Sequence, residues 1–221
     1  FTERLLSFDT TGGAEAPAQA WLADRLDEMG FETYEWTADA GALADHPSFP
    51  DDPGNAEAGV DGPDLADRPS VGGVLEFGDP DDGPTLVLNG HVDVVPVARE
   101  SWDTDPFAPA WDGDRLTARG AADMKCGLAA CVFAARHLAD RADSLALDGR
   151  LVVESVAGEE EGGIGAAAAA LANPYPFERD AAVVAEPTDL TPVLATEGSV
   201  MKRLRLSGRS AHAATRWRGE S

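Results

Sequence analysis

The chain has 221 residues, enough to bury a substantial core and to form one or two domains. Its 40 Asp and Glu against 17 Lys and Arg give a formal net charge of −23. That excludes nucleic acid as a partner, since phosphate binding needs clustered cations that release counterions, and it disfavours anionic membranes for the same reason. No basic segment, apolar stretch and small-residue cleavage site combine at the N-terminus, and no run of about 18 apolar residues occurs, so a soluble, cytoplasmic protein is expected.

Ala16 to Met29 reads as an amphipathic helix with Trp21, Leu22, Leu26 and Met29 on one side, and Gly30 caps its C-terminus. Phe31 to Trp36 alternates like a strand. From Ala38 to Ser70 the composition turns to Asp, Pro, Gly and Ala with little periodicity, which predicts a long surface loop or insertion, with His46 as a solvated loop residue. A regular rhythm follows. Gly73 to Phe77, Thr85 to Leu88, Leu151 to Val156 and Ala182 to Ala185 read as strands, and Lys125 to Ala139 and Ile164 to Leu171 as Ala-rich helices. His137 reads as a boundary side chain of the first of these helices. Cys126 and Cys131, five apart in it, form neither a CxxC site nor a disulfide framework and read as small buried thiols.

Strand, helix, strand, helix, strand predicts an α/β fold, a mostly parallel sheet flanked by helices. Beyond Thr191 the pattern changes, and Val200 to Leu206 alternates like an antiparallel strand with one wet face. The expected organisation is a catalytic metal-binding domain over residues 1–190, lacking its C-terminal part, and the beginning of a smaller α+β lid or dimerisation domain over 191–221.

An open parallel sheet binds its ligand beyond the carboxyl ends of its strands. His91 follows one predicted strand, Glu159 and Glu160 another, and Glu186 a third, while Asp123 lies in the turn that opens the Lys125 helix at the same end. Extended backbone puts His91 and Asp93 on one side, so the Asp93 carboxylate can accept the second imidazole N–H and orient a ligating ring. A surface hydrogen bond is the alternative for an isolated His-x-Asp. Glu159-Glu160-Glu161 is a solvated run or a helix-start charge cluster unless a dication is present, which lets one carboxylate ligate and its neighbour act as base. Glu186, before Pro187, is equally well a turn residue when taken alone. A calcium loop from Asp79 fails because Gly90 stands where its bidentate Glu belongs, and no G-x-S-x-G elbow supports a serine hydrolase.

Five blocks, Asn89-Gly-His-Val-Asp-Val-Val-Pro96, Arg119-Gly-Ala-Ala-Asp-Met-Lys125, Gly158-Glu-Glu-Glu-Gly-Gly-Ile-Gly165, Ala185-Glu-Pro-Thr188 and Gly208-Arg-Ser-Ala-His-Ala213, occur in order over most of the chain. In them the chain resembles the co-catalytic zinc peptidase and deacylase family that includes acetylornithine deacetylase, succinyl-diaminopimelate desuccinylase, aminoacylase and the zinc glutamate carboxypeptidases. The resemblance implies two divalent ions, zinc with cobalt or manganese as substitutes. It makes His91 and Glu186 ligands of one ion and Glu160 a ligand of the other, with Asp123 bridging. Asp93 orients His91, and Glu159 is the general base that takes a proton from the bridging water. Aligning on Gly162-Gly163-x-Gly165 selects Glu159 and Glu160, whereas a slip of one residue selects Glu160 and Glu161. His212 matches a lid histidine that stabilises the oxyanion in the partner subunit's site, its alternative being an exposed loop residue.

The implied activity is hydrolysis of the amide bond of small N-acyl amino acids or peptides by a homodimer of the full-length chain. One departure is that no histidine follows His212 to complete the second metal site, so a truncated form of a longer protein is expected, and a non-catalytic metal-binding or oligomerisation fragment is the alternative. The 38–70 insertion is a further departure. The acidic texture, with Asp above Glu and lysine only at Lys125 and Lys202, resembles proteins of extreme halophiles, in which salt screens self-repulsion; an ordinary acidic protein is the other reading.

Overall fold

A computed structural model describes residues 1–44, 65–195 and 213–218. The chain divides into two compact units, Phe1–Pro187 and Thr188–Ser221. In the second, a turn closed by Thr191 N–H on the Thr188 carbonyl and a 3-10 helix at Ala213–Arg218 are described. The strand expected over Val200 to Leu206 and the lid residue His212 lie outside the described residues.

The first unit opens with a short helix α1 (Thr2–Leu6) and then α2 (Ala16–Glu28), which Pro17 starts and which buries Ala18, Gln19, Leu22 and Leu26. Strand β1 (Glu32–Trp36), helix α3 (Ala40–Ala44) and, after a 3-10 turn at Leu65–Asp67, strand β2 (Ser70–Phe77) follow. Both ends of the predicted 38–70 loop are therefore built into the fold: Ala38, Leu43 and Leu65 pack with Ile164 and Ala168 in a small cluster of their own. Strand β3 (Thr85–His91) leads to a short hairpin of β4 (Ala110–Asp112) and β5 (Arg115–Thr117), then to α4 (Cys126–Ala139) and α5 (Ala142–Leu145). The unit closes with β6 (Gly149–Val156), α6 (Ile164–Leu171) and β7 (Ala181–Val184).

The main sheet has the order β1-β2-β6-β3-β7. The pairs β6–β3 and β3–β7 are parallel, as the strand and helix rhythm predicts, whereas β1–β2 and β2–β6 are antiparallel. The sheet is thus mixed, with β2 running against both of its neighbours. Period two sorts its side chains. Val71, Leu75, Phe77, Leu151 and Val153 join Leu22, Leu26, Leu128, Val132 and Ala135 in the larger core, so α2 and α4 cover one face. Val74, Val87 and Val152 face the other way, against Tyr175. Among the described residues no helix is long and apolar enough to cross a membrane.

This order sets β3 between β6 and β7, all three running the same way. Their carboxyl ends therefore share one rim of the sheet, the place where an open parallel sheet leaves unpaired backbone and room for a ligand.

Candidate metal centre

Each strand end delivers acid or imidazole to that rim. His91 is the last residue of β3 and is 1% exposed, paired there with Val156 of β6, two residues beyond the end of the pairing with β7. Glu159 and Glu160 lie in the turn after β6, and Glu186 two residues past β7. Asp123 arrives from a different direction, in the irregular turn between Gly120 and α4, and the Asp123–Met124 peptide is cis. Two glycines let that turn approach. A Cβ on Gly90 would lie 2.9 Å from Met124 Cε, and one on Gly127 would lie 2.3 Å from the Ala185 carbonyl oxygen, so α4 seats against the ends of β3 and β7 only without side chains there.

The His91 Nε2 atom stands 3.0 Å from Asp123 Oδ1, 3.7 Å from Glu186 Oε1 and 3.9 Å from Glu159 Oε2. Ligand atoms of His91, Asp123 and Glu160 lie within 4.8 Å of one another, and so do those of His91, Glu159 and Glu186. The structure thus brings His91, Asp123, Glu159, Glu160 and Glu186 together. Glu161 is drawn away and pairs with Arg68.

Asp93 differs from the expectation. The Nδ1–H of His91 meets the Asp93 backbone carbonyl at 2.9 Å, with the carboxylate at 3.7 Å. That carboxylate instead accepts the backbone N–H groups of Glu159 at 3.1 Å and Glu160 at 3.0 Å. One buried residue therefore orients the imidazole through its main chain and the paired-glutamate turn through its side chain. Spacing predicted the proximity, but not which oxygen would be used.

The electrostatics are those of a site short of positive charge. Among the described residues no lysine or arginine lies within 4.0 Å of the Asp93, Asp123, Glu159, Glu160 or Glu186 carboxylates. Burial, then the Asp123 charge, pushes the Glu160 pKa above the usual carboxylate range. Burial likewise raises Glu186, the His91 imidazole opposing and the Asp123 and Glu159 charges adding to it. Burial alone would lower His91, but the Asp93 charge and the hydrogen bond to Asp123 outweigh it and raise its pKa. One imidazole among mutually repelling carboxylates is a donor set for divalent cations, whose binding removes the repulsion. The residues fit such ions.

Beside Asp123 and Glu160 opens a cavity of about 140 Å³, lined also by Val95, Arg119 and Gly120. Sequence reasoning missed two buried residues nearby. Arg68 and Glu15 form an ion pair under the Glu159–Glu161 turn. The available signal was that Arg68 is the sole arginine of the acidic 38–70 stretch.

Known proteins place this architecture. An N-formyl-4-amino-5-aminomethyl-2-methylpyrimidine deformylase of Bacillus subtilis is 34% identical over 173 residues, 78% of this chain and 33% of its own length. A succinyl-diaminopimelate desuccinylase of Leptothrix cholodnii is 39% identical over 133 residues, 60% of this chain and 28% of its own. The crystal structure of an M20 family metallo-carboxypeptidase from Sulfolobus solfataricus superposes with a TM-score of 0.60 at 21% identity, covering 83% of this chain and 36% of that one, a likeness of fold. The chain spans about a third of the length of the curated relatives it matches. The model of the peptidase family M20/M25/M40 matches residues 87–207, which include every strand end that builds the rim, and the chain belongs to that family.

Proposed function

We propose that the protein is a two-metal hydrolase of the amide bond in small N-acyl amino acids or peptides. The observation that carries this reading is the rim itself, where Asp123, Glu159, Glu160 and Glu186 converge on the one imidazole of His91 without an ion-paired lysine or arginine among the described residues. His91 and Glu186 would hold one ion, Glu160 the other, and Asp123 would bridge. Imidazole and carboxylate suit zinc, with cobalt or manganese as substitutes. When bound, two such ions acidify a shared water and polarise the scissile carbonyl.

The protein's own groups do the rest. Glu159, partly exposed and 3.9 Å from His91 Nε2, is placed to take a proton from the attacking water and hand it to the departing nitrogen. Asp93 keeps both Glu159 and His91 in place from beneath. The cavity beside Asp123 and Glu160, below the volume of an ordinary ligand pocket, takes a small group of the substrate. His212, from a lid or dimerisation domain over 191–221, would donate to the developing oxyanion in a homodimer, while residues 1–190 form the catalytic domain. A deformylase and a desuccinylase among the relatives support cleavage of a small acyl group from nitrogen. The acidic composition fits a cytoplasm of high salt.

The test uses the full-length protein loaded with zinc or cobalt in high salt, screened against N-formyl, N-acetyl, N-succinyl and dipeptide substrates. At least one amide is turned over, and Glu159→Gln abolishes that turnover while metal content, read by elemental analysis, stays intact. Two bound metals with no amide cleaved would make this a metal-binding module instead, and unchanged turnover in Glu159→Gln would remove Glu159 from the base role.

A further inference from the structure

The third acid of the run, Glu161, has no part in the chemistry above, yet it is the one the fold holds most firmly. Its carboxylate pairs with Arg68 Nη1. The Arg68 side chain is 1% exposed, and its Nε donates to Glu15 Oε2 at 3.2 Å while Nη2 donates to Glu15 Oε1. Glu15 is itself fully buried, just ahead of α2. The guanidinium is therefore a fork with two prongs on Glu15 and one on Glu161, a geometry that a planar, fixed set of donors supports and a lysine does not. Burial works against its charge, but the hydrogen bonds to Glu15 and Glu161 more than compensate and keep its pKa above the ordinary arginine value.

The same short segment grips the backbone of the turn. Ser70 Oγ accepts the Ala157 N–H at 3.0 Å, and a Cβ on Gly158 would stand 3.2 Å from Arg68 Nη2, so the main chain lies close against the guanidinium. On the rim side, Asp93 accepts the N–H groups of Glu159 and Glu160. Residues 157–161 are thus held from two directions, through Ser70 and Arg68 on one and Asp93 on the other. Within that grip the carboxylates of Glu159 and Glu160 accept no hydrogen bond from the described residues, and both have an oxygen within 4.8 Å of a His91 ring nitrogen.

We propose that Arg68 is a positioning residue for the paired glutamates: anchored on Glu15, it takes Glu161 out of contention and so sets Glu159 and Glu160 toward His91. Three consecutive acids in a turn offer two registers to a dication. A cation fixed beside the third decides between them, because it neutralises the carboxylate the metal does not use. The inference rests on the reading of Glu160 as a ligand and Glu159 as the base.

Its test reads metal affinity and backbone protection in the full-length protein. Zinc is titrated calorimetrically into the metal-free wild type, Glu161→Gln and Arg68→Lys, and hydrogen exchange is followed over residues 157–163. Glu161→Gln weakens the more weakly held zinc by about tenfold or more, as loss of an outer partner of a metal ligand does. It leaves the other zinc within about twofold, lowers kcat with little change in KM, and speeds exchange at Glu159 to Gly163 but not in β6. Arg68→Lys, which keeps the charge and loses the fork, weakens the same zinc.

A Glu161→Gln protein with unchanged zinc affinities and unchanged exchange would overturn the proposal, as would a loss of thermal stability with both affinities preserved. Should Arg68→Lys fail to fold, Glu161→Gln, altered at the solvent-facing end of the fork, still decides. Should the wild type take up no zinc, the metal reading fails by itself, and the exchange measurement alone judges whether Arg68 and Glu161 hold the turn.

Discussion

Carboxylates inside strand β6 and in the turn that follows it meet opposite fates. Glu154, inside the strand, is 3% exposed and fully answered by the fold: Asn89 Nδ2 donates at 2.9 Å from the adjacent position of β3, Tyr175 O–H at 3.2 Å, and Arg179 Nη1 at 3.1 Å. A few residues further, where the strand has ended, Glu159 and Glu160 face His91, Asp123 and Glu186 with no such cation beside them among the described residues. The difference teaches that residue type and burial do not make a site. What separates the two groups is whether the fold brings its own cation to the carboxylate. Cys131 shows a third solution, since burial pushes its pKa up to about 11 and it stays neutral.

This contrast can be broken by exchanging roles in the full-length protein. The largest expected effect is at the rim, where Glu159→Gln lowers kcat by about 10²- to 10⁴-fold, the usual contribution of a positioned base, with a folding midpoint close to wild type. A large loss of stability there would mean that the rim acids are structural after all.

In the sheet the order inverts. Arg179→Met strands the buried Glu154 charge and costs about 3 kcal/mol of folding stability, the lower end for a broken buried pair because Arg179 is partly exposed. Denaturant titration measures this, and zinc affinity should not move. A zinc affinity that fell with it would show the two clusters to be one system.

Alkaline titration sharpens the third case. The Cys131 pKa is raised from 9.0 to about 11 on folding, so the unfolded chain loses its proton first and stability falls as pH rises from 9 through 11. The loss amounts to about 1.4 kcal/mol by pH 10. Cys131→Ala removes that part of the slope, and an identical slope in wild type and variant would show that the thiol does not titrate there. The smallest effect is again at the rim: Glu186→Gln relieves repulsion and stabilises the metal-free protein by about 0.5 kcal/mol after solvent screening, while it weakens zinc binding. A lower midpoint of the metal-free variant would count against an uncompensated site.

Much of this architecture is legible from order and spacing. The apolar runs locate β3, β6 and β7, and the Ala-rich segments α4 and α6, because short apolar runs and longer helical segments leave different periodicities, although β7 proves to be an exposed edge strand. His91, Asp123, Glu159, Glu160 and Glu186 could be nominated because each stands at a strand or helix boundary, and parallel strands with crossovers put such boundaries on one rim. Less legible were the directions of β1 and β2, which the residues of a strand do not report, and the ends of the 38–70 stretch, whose Asp and Pro content hides Leu43, Leu65 and Arg68 in the interior.

What the amino-acid order determined by itself was therefore the inventory: which side chains can ligate, and which turns hold them. Tertiary structure alone decided the pairing. Glu15 meets Arg68 across 53 positions and Glu154 meets Arg179 across 25, and no periodicity reports either approach. Charge acts through space and is strongest where water is excluded, so whether each carboxylate is ion-paired followed from which cation the packed chain carried to within a few ångströms of it.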